Sequence, residues 1–159
     1  MGTTEQRLTD LGIELPEPWR MPEGVARAFA AVRVHDATAY IAGHGPVDGL
    51  AILRQGTVGE DLTVDDGYDS ARLTGLAITS SLQQVVGDLD SITWLRATVY
   101  VNAVAGLEGP TLTRIGDGFS DVINDIFGDR GAHARATVGV ASLAFDVPTI
   151  IEATVAIGG

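Results

Sequence analysis

Apolar residues recur along this chain at two spacings, and each change of spacing marks a new element. From Ala28 the period is two: Ala30, Val32 and Val34 fall on one side and Phe29, Ala31 and Arg33 on the other, the pattern of a half-buried strand. His35-Asp36 predicts a turn, and Thr38 to Gly43 a second strand paired with the first. Gly45-Pro46 and Asp48-Gly49 end that strand and open a polar loop to about Leu62. Thr63 and Asp66 then form a capping-box pattern. Beyond it Val64, Tyr68, Ala71, Gly75, Ile78, Leu82 and Val85 recur at steps of three and four, which predicts an amphipathic helix closed at Gly87.

Period two returns with Leu95, Ala97, Val99 and Val101 alternating against Trp94, Arg96, Thr98 and Tyr100. A second helix is predicted over Thr111–Phe127, with Leu112, Ile115, Phe119, Val122 and Ile126 inward. Gly116 and Gly118 weaken it by about 1 kcal/mol each, a cost explained by close backbone packing or by flexibility. Two last strands follow. Over Ala134–Ala141 the apolar face is Ala134, Ala136, Val138 and Val140, with His133, Arg135, Thr137 and Gly139 opposite. Over Thr149–Ile157, Thr149, Ile151, Ala153, Val155 and Ile157 look inward, and Ile150, Glu152 and Thr154 point away. Ahead of all these, Thr4 to Leu11 reads as a short helix, and residues 1–25 form an extension that is Pro-rich as far as Pro22. The order ββαβαββ implies a single α+β domain over residues 1–159, a sandwich with both helices on one face of a mixed sheet. The other face is too apolar to be left in water and calls for a partner.

Charge narrows the functions open to such a fold. The net charge is −11 and the pI near 4.4, which opposes a nucleic-acid surface built on clustered cations. All ten basic residues are Arg; without Lys there is no Schiff-base amine and no phosphate-binding P-loop. Without Cys there is no disulfide, thiol nucleophile or thiolate metal site. No apolar run approaches the ~20 residues of a membrane span, and the N-terminus lacks a secretory pattern, so a soluble cytoplasmic protein is expected.

One residue stands out chemically. Arg135 lies inside a strand of small residues, and its planar, permanently charged fork suits a carboxylate. It is equally readable as an ion-pair residue. Glu152 is a candidate acid–base group, with pairing to a nearby Arg as the structural alternative. His133, on Arg135's face, and His44, on Ala42's, titrate near neutral pH and are further candidates. Hydrogen bonding to backbone after the Gly-rich turn is the ordinary role for His133. No metal site is expected, since no two histidines have ligand spacing.

Gly128-Asp-Arg-Gly-Ala-His-Ala-Arg-Ala-Thr-Val-Gly-Val-Ala-Ser-Leu143, followed by a hairpin and Ile151-Glu-Ala-Thr-Val-Ala-Ile157, resembles the Rid (reactive intermediate deaminase, YjgF-like) family. Tyr40-Ile-Ala-Gly-His-Gly-Pro46, Phe127-Gly128 and Glu5-Gln-Arg-Leu-Thr-Asp-Leu-Gly-Ile-Glu-Leu-Pro16 resemble its longer-chain subgroup. The resemblance implies a chorismate-mutase-like fold and a homotrimer with its pockets between neighbouring subunits. It also implies cofactor-free hydrolysis of enamines and imines such as 2-aminoacrylate to a keto acid and ammonia. The family's carboxylate-binding arginine matches Arg135. Its proton-handling glutamate falls on Ile150, its Ser-Gly pair on Ala42-Gly43, its pocket tyrosine on Phe29, and a cysteine of some members on Thr137. Three polar partners have thus become apolar, which puts small-enamine deamination in doubt and leaves Glu152, one step along from Ile150, as a substitute. The implied partners are a small molecule bearing a carboxylate or carbonyl and further copies of this chain. Two other readings stay open: a ligand-binding or regulatory trimer without hydrolysis, and a tailoring enzyme of specialised biosynthesis.

Overall fold

A computed structural model describes residues 2–158. The main sheet holds β1 (Val32–His35), β2 (Thr38–His44), β5 (Ile92–Asn102), β6 (Ala134–Val140) and β7 (Thr149–Ile157), in the order β1-β2-β7-β5-β6. β5 and β6 run parallel and every other pair antiparallel, as a mixed sheet requires. The hairpin expected between the last two strands does not form. β7 pairs with β2 and β5 instead, so β5 separates it from β6. The loop after β2 also carries a small hairpin of β3 (Val47–Asp48) and β4 (Ala51–Ile52) that the polar sequence there did not announce.

Three helices complete the chain: α1 (Thr3–Asp10), α2 (Val64–Val86) and α3 (Gly109–Phe127). α2 starts where predicted, with the Thr63 side chain accepting from the Asp66 amide and the Asp66 carboxylate accepting from the Thr63 amide. It ends at Gly87, whose φ of 84° is one that residues with a Cβ rarely adopt. α3 opens with Pro110 in its first turn, where a missing N–H costs nothing. Trp94, Phe119, Ile78, Ile115 and Ile123 are fully buried between these helices and the sheet. Each such side chain contributes about 1.5–3 kcal/mol of transfer free energy.

The alternation of small and large residues decides how close the helices come. A Cβ on Gly118 would overlap the Tyr68 carbonyl of α2, with the carbonyl carbon 2.8 Å away, and one on Gly75 would lie 2.9 Å from Val122 Cγ1. Close packing, against backbone at Gly118 and against side chains at Gly75, and not flexibility, is therefore the reason for these glycines.

Two β-bulges redirect side chains that simple alternation misplaces. The register slips between Trp94 and Arg96, which turns Trp94 into the core beside Ala97, Val99 and Val101 and leaves Leu95 exposed. A second slip between Ile41 and His44 turns His44 inward opposite Ile151. On β6 the expected faces are reversed. Arg135 pairs in register with buried Ala97, so His133, Arg135, Thr137 and Gly139 look toward α3, and Ala134, Ala136 and Val138 lie exposed on the bare face. β1 is shorter than expected, leaving Phe29 ahead of it, and Val34 and Val85 are exposed.

Gly118→Ala is expected to destabilise the protein by at least about 2 kcal/mol in urea unfolding, because α2 and α3 must separate to admit the methyl group. Gly109→Ala, which meets nothing within 4 Å, should stay within about 0.5 kcal/mol of wild type.

Candidate functional site

The edge strand β6 and helix α3 hold one half of the candidate site. Arg135 Nη1 donates to Asp117 Oδ1 at 3.1 Å and to Ser120 Oγ at 2.8 Å, and Nη2 donates to the Thr113 carbonyl at 3.2 Å. Its side chain keeps 16% of its surface accessible. Gly116 makes the room: a Cβ there would sit 2.9 Å from Arg135 Cζ and overlap Thr137 Oγ1. That Thr137 hydroxyl is buried with no hydrogen-bond partner.

His133 belongs to the same group. A carbonyl can only accept, so the 2.7 Å contact to the Gly131 carbonyl puts the proton on His133 Nδ1. Nε2 then accepts from Ser120 Oγ at 3.0 Å, and Ser120 in turn accepts from Arg135. Burial against Phe119 and Trp94, with the Arg135 charge adding, holds the imidazole below its usual range and neutral at pH 7. His133 is thus bonded to backbone after the Gly-rich turn, and it is also tied to Arg135 through Ser120.

The other half lies on the bare face. Ile150 packs on Gly43, where a Cβ would lie 2.8 Å from Ile150 Cγ2. Glu152 is exposed and has no Arg partner; the Tyr100 hydroxyl donates to its Oε1 at 3.1 Å and is thereby held above its usual pKa. A cavity of about 230 Å³ beside it is lined by Tyr40, Arg96, Thr98, Glu152 and Thr154. Since Glu152 pairs with Thr98 while Arg135 pairs with Ala97, Glu152 and Arg135 point to opposite faces of one sheet.

His44 does not share a surface with Ala42 as alternation suggested. It is fully buried, its Nδ1 donating to the Ala42 carbonyl at 2.7 Å and its Nε2 accepting from Ser81 Oγ of α2 at 3.0 Å. Burial first, then the charge of Arg27, lowers its pKa to about 4. Trp19 stands edge-on to this ring at 5.3 Å and tilts onto the exposed Phe29 at 6.1 Å. The structure thus gathers His133, Arg135 and Thr137 in one place, Gly43 and Ile150 in another with Glu152 on the same bare face, and His44 with Phe29 around Trp19.

Sequence reasoning missed Asp117, Ser120 and Tyr100. Asp117 and Ser120 are three apart on a helix and follow Gly116, the one signal that could have linked them to β6. Among the described residues no three His, Asp or Glu side chains are arranged to hold a metal ion, and no helix is long and apolar enough to cross a membrane.

With fold and site in view, the chain can be placed in a class of mixed-sheet α+β proteins. Residues 5–148 match the family described as "YjgF/chorismate mutase-like, putative endoribonuclease", and the chain belongs to that family. It is 30% identical to protein TCP17 of Trypanosoma cruzi, across 97% of this chain and 94% of that protein. A Shewanella oneidensis crystal structure bearing the same endoribonuclease description superimposes with a TM-score of 0.88 at 25% identity, covering 98% of this chain and all of that one. The Agrobacterium tumefaciens protein Atu1372 gives 0.84 at 28% identity, over 97% of this chain and 91% of that one.

Because folded His44 is neutral down to about pH 4 whereas an unfolded histidine takes up its proton near 6.5, the unfolded state binds the extra proton first. Its contribution is fully present above pH 6.5 and is lost as pH falls toward 4, with an upper bound of about 3 kcal/mol. Urea midpoints should therefore drop from pH 7.5 to 4.5, and His44→Gln should flatten that slope.

Proposed function

We propose that this protein is a Rid-like, cofactor-independent enzyme for a carboxylate-bearing imine, enamine or related intermediate, working in pockets between the subunits of a homotrimer. The observation that carries the proposal is the split of the site. Arg135 faces α3 at the sheet edge, and Ile150 and Glu152 face the other way, so a ligand meets both only if a second copy presents its bare face to the first copy's β6 edge. The exposed Tyr40 and Val138 on that face, 51% and 42% accessible, support such a covering. Arg135, already oriented by Asp117, Ser120 and the Thr113 carbonyl, retains N–H groups that own-chain acceptors do not use, and these would take the ligand carboxylate.

Hydrolysis adds water to the C=N carbon and releases ammonia, which needs a group to move protons. Ile150 cannot, and both site histidines have each ring nitrogen engaged. Glu152, with the Tyr100 hydroxyl against it, is the acid–base pair left open to a ligand. It sits one strand step, ~6.5–7 Å, beyond Ile150, which favours a larger substrate than 2-aminoacrylate. The apolar contact of Ile150 with Gly43 also favours a second reading, a trimer that binds such a ligand without hydrolysing it. A role on RNA is opposed by the charge of −11.

Light scattering should give three times the 16.6 kDa chain mass at micromolar concentration; a monomer mass would defeat the split-site proposal. Arg135→Lys should lose most ligand affinity although it keeps the charge, since an ammonium cannot reproduce a two-pronged contact. Wild type should barely accelerate ammonia release from freshly generated 2-aminoacrylate, and Ile150→Glu should raise that rate by about an order of magnitude or more. Wild-type activity equal to that of an ordinary family member would mean that another residue carries the proton.

A further inference from the structure

Arg27 takes no part in the network around Arg135. Its Cζ lies 4.7 Å over the Trp19 ring, and Nη2 makes a long hydrogen bond of 3.5 Å to the Trp19 carbonyl. Nη1 is buried with no partner at all, and none of the acidic side chains of the described residues forms an ion pair with it. The other enclosed arginines are paired with carboxylates, Arg54 with Asp66 and Asp69 although its Nε is also buried without an acceptor, Arg130 with Asp90 and three carbonyls, and Arg135 with Asp117. Arg27 is thus a half-buried cation without a carboxylate of its own chain, and its Nε–H, which has no own-chain acceptor and is not enclosed as Nη1 is, remains open to an acceptor from outside.

We infer that Arg27, stacked on Trp19 and flanked by Phe29, is a second carboxylate grip, taking a small monocarboxylate with an apolar body. The inference rests on the proposed function for the class of ligand. Trp19 holds the guanidinium in place from one side, and with Nη1 enclosed the Nε–H and the second Nη2 N–H are the donors left for the two oxygens of a carboxylate. Phe29, 56% exposed and tilted against the same indole, offers an apolar platform beside it. His44, on the indole's edge, has both nitrogens committed to Ala42 and Ser81 and stays neutral, so it adds neither a donor nor a competing charge. A site with a single cation, on a chain of net charge −11, suits a single carboxylate and disfavours a polyanion.

The probe is phenylpyruvate, titrated calorimetrically into the full chain, with 1-phenylpropan-2-one as its analogue lacking the carboxylate. Wild type should bind phenylpyruvate and not the ketone. Arg27→Gln should weaken binding at least tenfold, and Arg27→Lys and Trp19→Leu several-fold, with circular dichroism and light-scattering mass unchanged. Unaltered affinity in Arg27→Gln, or absence of binding by wild type, would overturn the inference. So would a lower oligomer mass in Arg27→Gln, which would make a neighbouring subunit's carboxylate the acceptor. Arg135→Lys separates the two readings. If it alone abolishes binding, Arg135 is the anchor and the Arg27 inference falls; if only the Arg27 variants do, the inference stands and the Arg135 assignment falls. Loss in both places the two arginines on one ligand and supports the inference.

Discussion

The contact of α3 with α2, where Gly118 lies against the Tyr68 backbone and Gly75 against the side chains of Val122 and Phe119, sets the rest of the structure. Two helices that approach this closely form one layer, and that layer covers only one face of a five-stranded sheet. The same close approach brings α3 over the edge strand β6, where Gly116 leaves the space that Arg135 and Thr137 occupy. Arg135 is then fixed by Asp117, Ser120 and the Thr113 carbonyl before any ligand arrives. An arginine held this way keeps its charge and its direction, and little rotamer entropy remains to be lost on binding.

The electrostatics of the two halves differ for the same reason. On the helix side, His44 and His133 are desolvated and neutral, each donating Nδ1–H to a backbone carbonyl and accepting a serine hydroxyl at Nε2. They act as hydrogen-bonded core residues with a fixed tautomer. On the bare face, the carboxylate of Glu152 and the hydroxyl of Tyr100 remain in reach of solvent. Acid–base capacity and the oriented cation therefore stand on opposite sides of one sheet, a division that a second copy of the chain can close.

Much of this was legible in the pattern of residues. Helix α2 was marked at both ends, by the Thr63–Asp66 box and by Gly87, and β7 showed its inward set from Thr149 to Ile157 without exception. What alternation could not reveal were the bulges. One extra residue near Leu95 sends Trp94 into the core, and another near Ala42 buries His44, because a period of two reverses faces after any insertion. β6 failed for a different reason: both of its faces carry small residues, so hydrophobicity alone could not say which one α3 covers. The Arg135 ion pair was foreseen as an alternative to carboxylate binding, but Asp117 was not identifiable without the helix in place. Glu152's partner proved to be a tyrosine across the strand pair β5–β7 and not an arginine.

The claim that the site is shared between subunits can be tested by mixing chains. A double variant carrying Arg135→Lys and Ile150→Glu lacks the anchor, and wild type has no carboxylate at position 150, where a substrate as small as 2-aminoacrylate would need it, so neither alone should release ammonia from 2-aminoacrylate at an appreciable rate. Co-refolded together, they should regain activity, because some interfaces then join an intact Arg135 of one chain to the substituted position 150 of its neighbour. Activity no greater than the sum of the two parents, in mixed oligomers verified by mass spectrometry, would contradict the account.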